Sequence, residues 1–221
     1  MNSLILFAQA DVEAGVRESL LYFYIDSCGL LFGSLFVFVS IAFVTFAIMN
    51  WLAITRNAIA PIEMTEQLLG KLEAKEYQEA YDIAKESDSV LGTVLAVGLI
   101  KVSDGAAAAE QAMNDAIEEE VMRLEHRLSY LGLIASVSPM LGLLGTVFGM
   151  VDAFSVLAQT GVPVASELAR GISRALVTTQ IGLLIAIPAL VLFEIFKNRL
   201  ALLVLELDSQ TAQVLKLLTR K

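Results

Sequence analysis

Residues Leu131–Val151 read LGLIASVSPMLGLLGTVFGMV. The run carries no charge and is long enough to cross a bilayer, whose hydrocarbon core takes about 20 apolar residues as a helix. Leu and Val would suffice for an anchor. This run instead contains Gly132, Gly142, Gly145, Gly149, Pro139 and Thr146. A second run, Ala175–Phe193 (ALVTTQIGLLIAIPALVLF), repeats the recipe with Thr178, Thr179, Gln180, Gly182 and Pro188. Two spans with small and hydroxyl-bearing residues at membrane depth predict a helix bundle whose working part lies inside the membrane.

Composition agrees. The 221 residues are 57% hydrophobic and 18% charged, which moves the class from soluble domain to membrane protein. A net charge of −9 argues against nucleic-acid binding, which needs clustered Lys and Arg. Cys28 is the only cysteine and His126 the only histidine, so an intramolecular disulfide and a multi-histidine metal site are both excluded. A third span, Cys28–Met49, lies in a stretch without charge from Ser27 to Thr55. Leu91–Ile100 is too short to cross and is expected to pack inside a soluble helical domain. Leu4–Ala8 is also short and lacks the basic start of a secretory signal, so the first span is read as permanent.

The charges set an orientation. The segment between the first two spans carries seven Lys or Arg and fifteen Asp or Glu, and the tail carries Lys197, Arg199, Lys216, Arg220 and Lys221. Lys and Arg collect on the cytoplasmic side, and short segments report this best. The expected layout is a periplasmic or interfacial N-terminal helix at 1–27, spans at 28–51, 130–157 and 173–196, a cytoplasmic helical domain at 52–129, a periplasmic loop at 158–172, and a cytoplasmic C-terminal helix at 197–221. Within the insertion, Leu68, Leu69, Leu72, Tyr77, Ala80, Tyr81 and Ala84 recur at helical spacing, as do Met113, Ile117, Val121, Leu124 and Leu128. Ser103 or Asp104 is placed to cap the helix beginning at Ala106. Phe32, Phe36, Phe38, Phe43 and Phe46 suit a first span facing lipid.

Small residues form a line in each of the other spans: Ala135, Ser138, Gly142, Gly145, Gly149 and Asp152 in one, Ala175, Thr179, Gly182, Ala186 and Ala189 in the other. In lipid, close backbone contact through small residues replaces the hydrophobic effect as the force between helices. Counting from each span's middle, at about 1.5 Å per residue, Thr146 and Thr179 fall in one layer on the outer side, about 4–5 and about 7–8 Å from centre, and Pro139 and Pro188 share a layer on the inner side. Plainer roles stand beside these. Threonine in a helix commonly bonds its own backbone, glycine and proline can serve packing and bending alone, and Asp152 is placed to reach headgroups. One absence is informative: no carboxylate lies in the middle of any span, although a proton relay ordinarily uses one. If protons move here, another chain brings the titrating group.

The text SPMLGLLGTVFGM together with ARGISRALVTTQIGLLIAIPALVLF resembles the ExbB/TolQ/MotA family of ion-driven inner-membrane motor proteins, nearest its ExbB branch. The resemblance implies an all-α membrane protein with three transmembrane helices, a helical cytoplasmic insertion and a long C-terminal helix, assembling as a pentamer in the bacterial inner membrane. It implies two copies of an ExbD/TolR-like single-span partner that supplies an aspartate, and a TonB-like transducer that receives the work. It places the family's pore threonines on Thr146 and Thr179; neighbouring Thr178 and Gln180 add polarity to the path that many relatives lack, and Gly142, Gly145, Gly149, Gly182, Pro139 and Pro188 are read from the spans themselves as packing residues. No cofactor or metal is implied, only a transported proton or sodium ion. Arg174 stands where several relatives carry glutamate, so that glutamate's role does not transfer; Arg174 and Asp152 become outer-side contacts. A TolQ-like or MotA-like stator is the alternative, a non-conducting scaffold the rival of another class. No nucleophile–base pair or phosphate loop points to an enzyme.

Overall fold

The computed structural model describes residues 29–160 and 165–219. The expected N-terminal helix at 1–27, Cys28 and residues 161–164 of the expected loop lie outside the described residues. Every regular element among those described is helical: α1 (Gly29–Ala53), α2 (Arg56–Ile59), α3 (Ile62–Glu73), α4 (Tyr77–Glu86), α5 (Val90–Lys101), a short 3-10 turn (Val102–Asp104), α6 (Ala106–Thr160) and α7 (Ala165–Thr219). α1, α6 and α7 each contain a window long and apolar enough to cross a membrane. The chain divides into two compact units, one of residues 29–44 with 133–190 and one of residues 45–132 with 191–219.

In the first unit, segments of α1, α6 and α7 share a core. Phe36, Val177 and Ile185 are buried, with Phe32, Val39, Phe43, Ile134, Leu141 and Ile181 packed on them. The expectation that the α1 phenylalanines face outward is corrected here. Phe36 is 4% exposed and only Phe38, at 70%, turns away. The outward face is instead aliphatic: Leu30, Leu31, Val37, Ile41 and Val44. An aromatic ring fills more interhelical space than an aliphatic side chain, and edge or tilted pairs such as Phe32–Phe148, with centroids 5.8 Å apart, add attraction. α6 and α7 extend into the stretch assigned to a loop, to Thr160 and from Ala165 respectively.

The second unit is a helical cluster. Thr55 caps α2 by accepting from the Ala58 amide at 3.4 Å, and Pro61, which has no amide to lose, precedes α3. α3 and α4 are amphipathic and bury Met64, Leu68, Leu72, Ala80 and Ala84. α5 has no polar stripe, yet only one face of it is buried, since Val97 and Ile100 are exposed. Leu91, Val94 and Leu95 are fully enclosed, as expected for a segment too short to span. Ser89 caps it, accepting from the Gly92 amide at 3.0 Å. The expected cap of α6 differs: Asp104 pairs with Lys101 at 3.0 Å and Ser103 donates to the Ile100 carbonyl, while Gly105, at φ 115°, immediately precedes the helix. A positive φ of that size suits glycine alone. The periodic apolar residues Met113, Ile117, Leu124 and Leu128 of α6 are buried, as are Phe196, Leu200, Leu203, Leu207 and Val214 of α7.

Between α3 and α4 the chain turns through Lys75, at φ 62°. The Lys75 amide donates to Leu72 O and the Glu76 amide to Lys71 O, both at 3.0 Å, the two bonds of a Schellman turn. Lys71 reaches Glu76 at 2.7 Å and Glu79 at 2.5 Å across it, and hydrogen bonds to these carboxylates hold its ammonium above the usual lysine range. A raised pKa stabilises the turn fully below the ordinary lysine value, and the contribution fades only as pH climbs through the raised one. Lys75→Gly removes the left-handed strain and is expected to stabilise the unit by about 0.5–1 kcal/mol, read as a higher unfolding midpoint.

Candidate functional site

The site is built where α6 and α7 run antiparallel in the first unit. Their contact is set by backbone meeting backbone. A Cβ added to Gly182 would lie 2.6 Å from the Ser138 carbonyl oxygen, and one on Gly142 would lie 2.9 Å from Thr179 Cα. One on Gly145 would fall 2.6 Å from Thr178 Oγ1, one on Gly149 2.9 Å from Ala175 Cβ, and one on Gly171 2.6 Å from Ala153 Cβ. None of these positions holds a side chain without displacing the other helix. At all four glycines named from the sequence, and at Gly171, an added Cβ would come within 3 Å of the other helix. Gly171 belongs to the same seam; it stands four residues before Ala175, so extending the small-residue line of α7 by one step finds it. Ser138 and Ala135 are buried on the α6 side, Ala175, Ala186 and Ala189 on the α7 side.

Contact between Gly145 and Thr178 fixes the register. Thr146 is then level with Val177, about 3 Å along the axis from Thr179. The prolines are not level. The same register puts Pro139 level with Leu184, about four residues and about 6 Å from Pro188. The inner proline layer expected from counting is thus corrected: span midpoints judged from apolar length miss the register that glycine contacts impose. Each proline still leaves a helix carbonyl four residues back, of Ala135 and Leu184, without its ladder amide.

The three hydroxyls behave differently. Thr146 Oγ1 donates to Leu143 O of its own helix at 2.6 Å. The residue is half-buried at the end of an open, mainly apolar groove of about 560 Å³ that Val147, Met150, Val151, Phe154 and Ser155 also line. Thr179 is half-buried too, and its hydroxyl crosses to α6, donating to Gly142 O at 2.9 Å. Thr178 is 3% exposed. Its hydroxyl donates to Ala175 O at 2.7 Å and lies 3.2 Å from the same Gly142 O. Gln180 and Asp152 are exposed, Arg174 half-buried; the Asp152 carbonyl accepts the Ser155 hydroxyl at 2.8 Å. The interhelical bonds to Gly142 were not legible as such, because a carbonyl oxygen has no letter in the sequence.

Chemically, the unit offers hydroxyls and an exposed amide on apolar walls, with no carboxylate from Leu133 to Val151 or from Ala175 to Leu190. No group of His, Cys, Asp or Glu suited to a metal occurs among the described residues. Such a surface can orient water or a cation and cannot itself take up a proton.

Fold and site together define an all-helical membrane protein with a polar seam between two glycine-packed helices. Residues 86–209, which contain the whole seam, match the family described as MotA/TolQ/ExbB proton channel, and the chain belongs to that family. Among its relatives, the Tol-Pal system protein TolQ of Haemophilus influenzae is 44% identical over 92 residues, covering 42% of this chain and 39% of the relative. The biopolymer transport protein ExbB of Salmonella typhimurium is 38% identical over 119 residues, 48% of this chain and 49% of the relative. The matched stretches thus span half or less of these relatives' own length.

Proposed function

We propose that this chain is an ExbB-like subunit of a cation-driven motor in a bacterial inner membrane, with its N-terminus periplasmic and its C-terminus cytoplasmic. Copies form a pentamer around two single-span partners of ExbD/TolR type. Ions, protons in the first instance, pass along the boundary between this chain's threonines and a partner aspartate. Neutralising and recharging that aspartate changes its affinity for the hydroxyl-lined wall, and the wall and partner step past one another. A TonB-type transducer carries the work to the outer membrane.

The observation that carries the reading is a polar surface without a titrating group: Thr146 in an open groove and Thr179 half-buried one helix away, at nearly one depth, with no carboxylate between them. A surface like this is functional only with a charge brought from outside. TolQ and ExbB relatives match at similar identity, which makes a TolQ-like stator subunit the second reading. Both readings require proton uptake by vesicles holding this chain and an aspartate-bearing single-span partner. Uptake is expected only with both chains and with the partner aspartate intact. Equal uptake by this chain alone would sink the proposal. Repeating the measurement without sodium identifies the ion.

A further inference from the structure

A carbonyl oxygen has two lone pairs. Gly142 lies within a continuous α-helix, so one of its lone pairs is assigned to the amide four residues on, that of Thr146. Two hydroxyls approach what is left: Thr179 Oγ1 at 2.9 Å and Thr178 Oγ1 at 3.2 Å. They do not compete equally. Thr178 already has the Ala175 carbonyl at 2.7 Å, on its own helix, and is sealed in the seam against Gly145. Thr179 is half-buried, and Gly142 O is the acceptor its hydroxyl reaches.

We propose that Thr178 is a positioning residue that stands ready to take over the Gly142 carbonyl, freeing the Thr179 hydroxyl to turn toward the ion path. This rests on the reading of Thr179 as part of that path. A Thr179 hydroxyl tied to Gly142 cannot at the same moment donate to a water or a partner carboxylate, since it has one proton. Releasing it would leave the buried Gly142 carbonyl with its Thr146 amide alone and would lose a bond between the two helices. Thr178 replaces that bond by turning its O–H about the Cβ–Oγ1 bond, from Ala175 O to Gly142 O, since its oxygen already lies within hydrogen-bond distance of both. Ala175 O retains its place in the α7 ladder meanwhile. Thr178 therefore acts through Gly142 and never meets the ion. Its placement in the seam explains why adjacent threonines occur here: one works at the edge and the other behind it.

Packing alone makes the opposite forecast from hydrogen bonding, which gives the test. Thr178→Val preserves shape and removes the hydroxyl; Thr178→Ser keeps the hydroxyl and loses a methyl. In the complex of this chain with its single-span partner, Thr178→Val is expected to slow proton uptake about tenfold, equivalent to about 1.4 kcal/mol in the barrier, with assembly unchanged. Thr178→Ser is expected to keep at least about half the rate. Full activity of the Val variant, or loss in Ser with activity in Val, overturns the proposal. Should Val fail to assemble, Thr178→Ala against Thr178→Ser decides, because these differ only in the hydroxyl: equal rates overturn it, a slower Ala variant supports it. Thr179→Val run in parallel separates the two levels. If it transports normally, the ion-path reading itself falls; if it is inactive while Thr178→Val is active, only the role given to Thr178 falls.

Discussion

Thr179→Val is expected to reduce ion-driven uptake to background while leaving assembly intact, and Thr146→Val to do the same. Valine matches threonine in shape, so packing changes little, whereas each substitution removes one of the hydroxyls closest to the proposed path. For Thr146 the folded structure loses only a bond to its own Leu143 carbonyl, and that carbonyl keeps its place in the helix. Stability should change by about 1 kcal/mol or less. For Thr179 the lost bond joins two helices, at 2.9 Å to Gly142 O; interhelical bonds of this kind in membranes average about 0.6 kcal/mol. Neither figure accounts for a dead complex, so inactivity with normal assembly locates the defect in ion movement. Full activity of both variants would instead favour a scaffold that holds partner helices without conducting.

Gly182→Val should have the largest structural effect. The nearest atoms to an added Cβ are the Ser138 carbonyl oxygen at 2.6 Å and Gly142 Cα and N just beyond 3 Å, all of them backbone. A side chain can swing aside; a helix backbone cannot without separating α6 from α7 along the seam. Overpacking a core ordinarily costs about 1–3 kcal/mol, and a clash that only helix separation relieves should exceed that range. The expected result is little assembled protein in detergent and a sharply lowered unfolding temperature. Gly70→Ala provides the contrast. Nothing lies within 4 Å of its added Cβ, and the residue is exposed inside α3. Alanine there should stabilise by about 0.5–1 kcal/mol. If both substitutions were equally tolerated, the glycine seam would not be what holds α6 to α7.

The membrane class, the three spans and the seam residues were legible because each leaves a mark in composition. Apolar length betrays a span, and repeated small residues betray close approach. Gly142, Gly145, Gly149 and Gly182 were found this way. Three features were not. Phe36 faces inward, with Phe32 and Phe43 packed on its core, and this was not legible because span one is apolar on every side and amphipathicity gives no direction when lipid and protein interior are equally apolar. The proline layer failed because apolar length locates a span's middle only to within a turn or two. The N-terminal boundary of α6 was set by Gly105 rather than by a polar cap, with Asp104 engaged by Lys101.

The sequence by itself determined that this is a helical membrane protein, which helices pack through small residues, and that its polar surface lacks a carboxylate. These are properties of side-chain identity and period, and they survive any choice of register. Only the tertiary structure decided which hydroxyl does what. Three threonines look alike in the text, yet Thr146 bonds its own helix at a groove, Thr179 crosses the seam, and Thr178 is sealed within it. The difference is set by distances to the Gly142 and Ala175 carbonyls, and backbone acceptors become specific only when two helices fix them against each other.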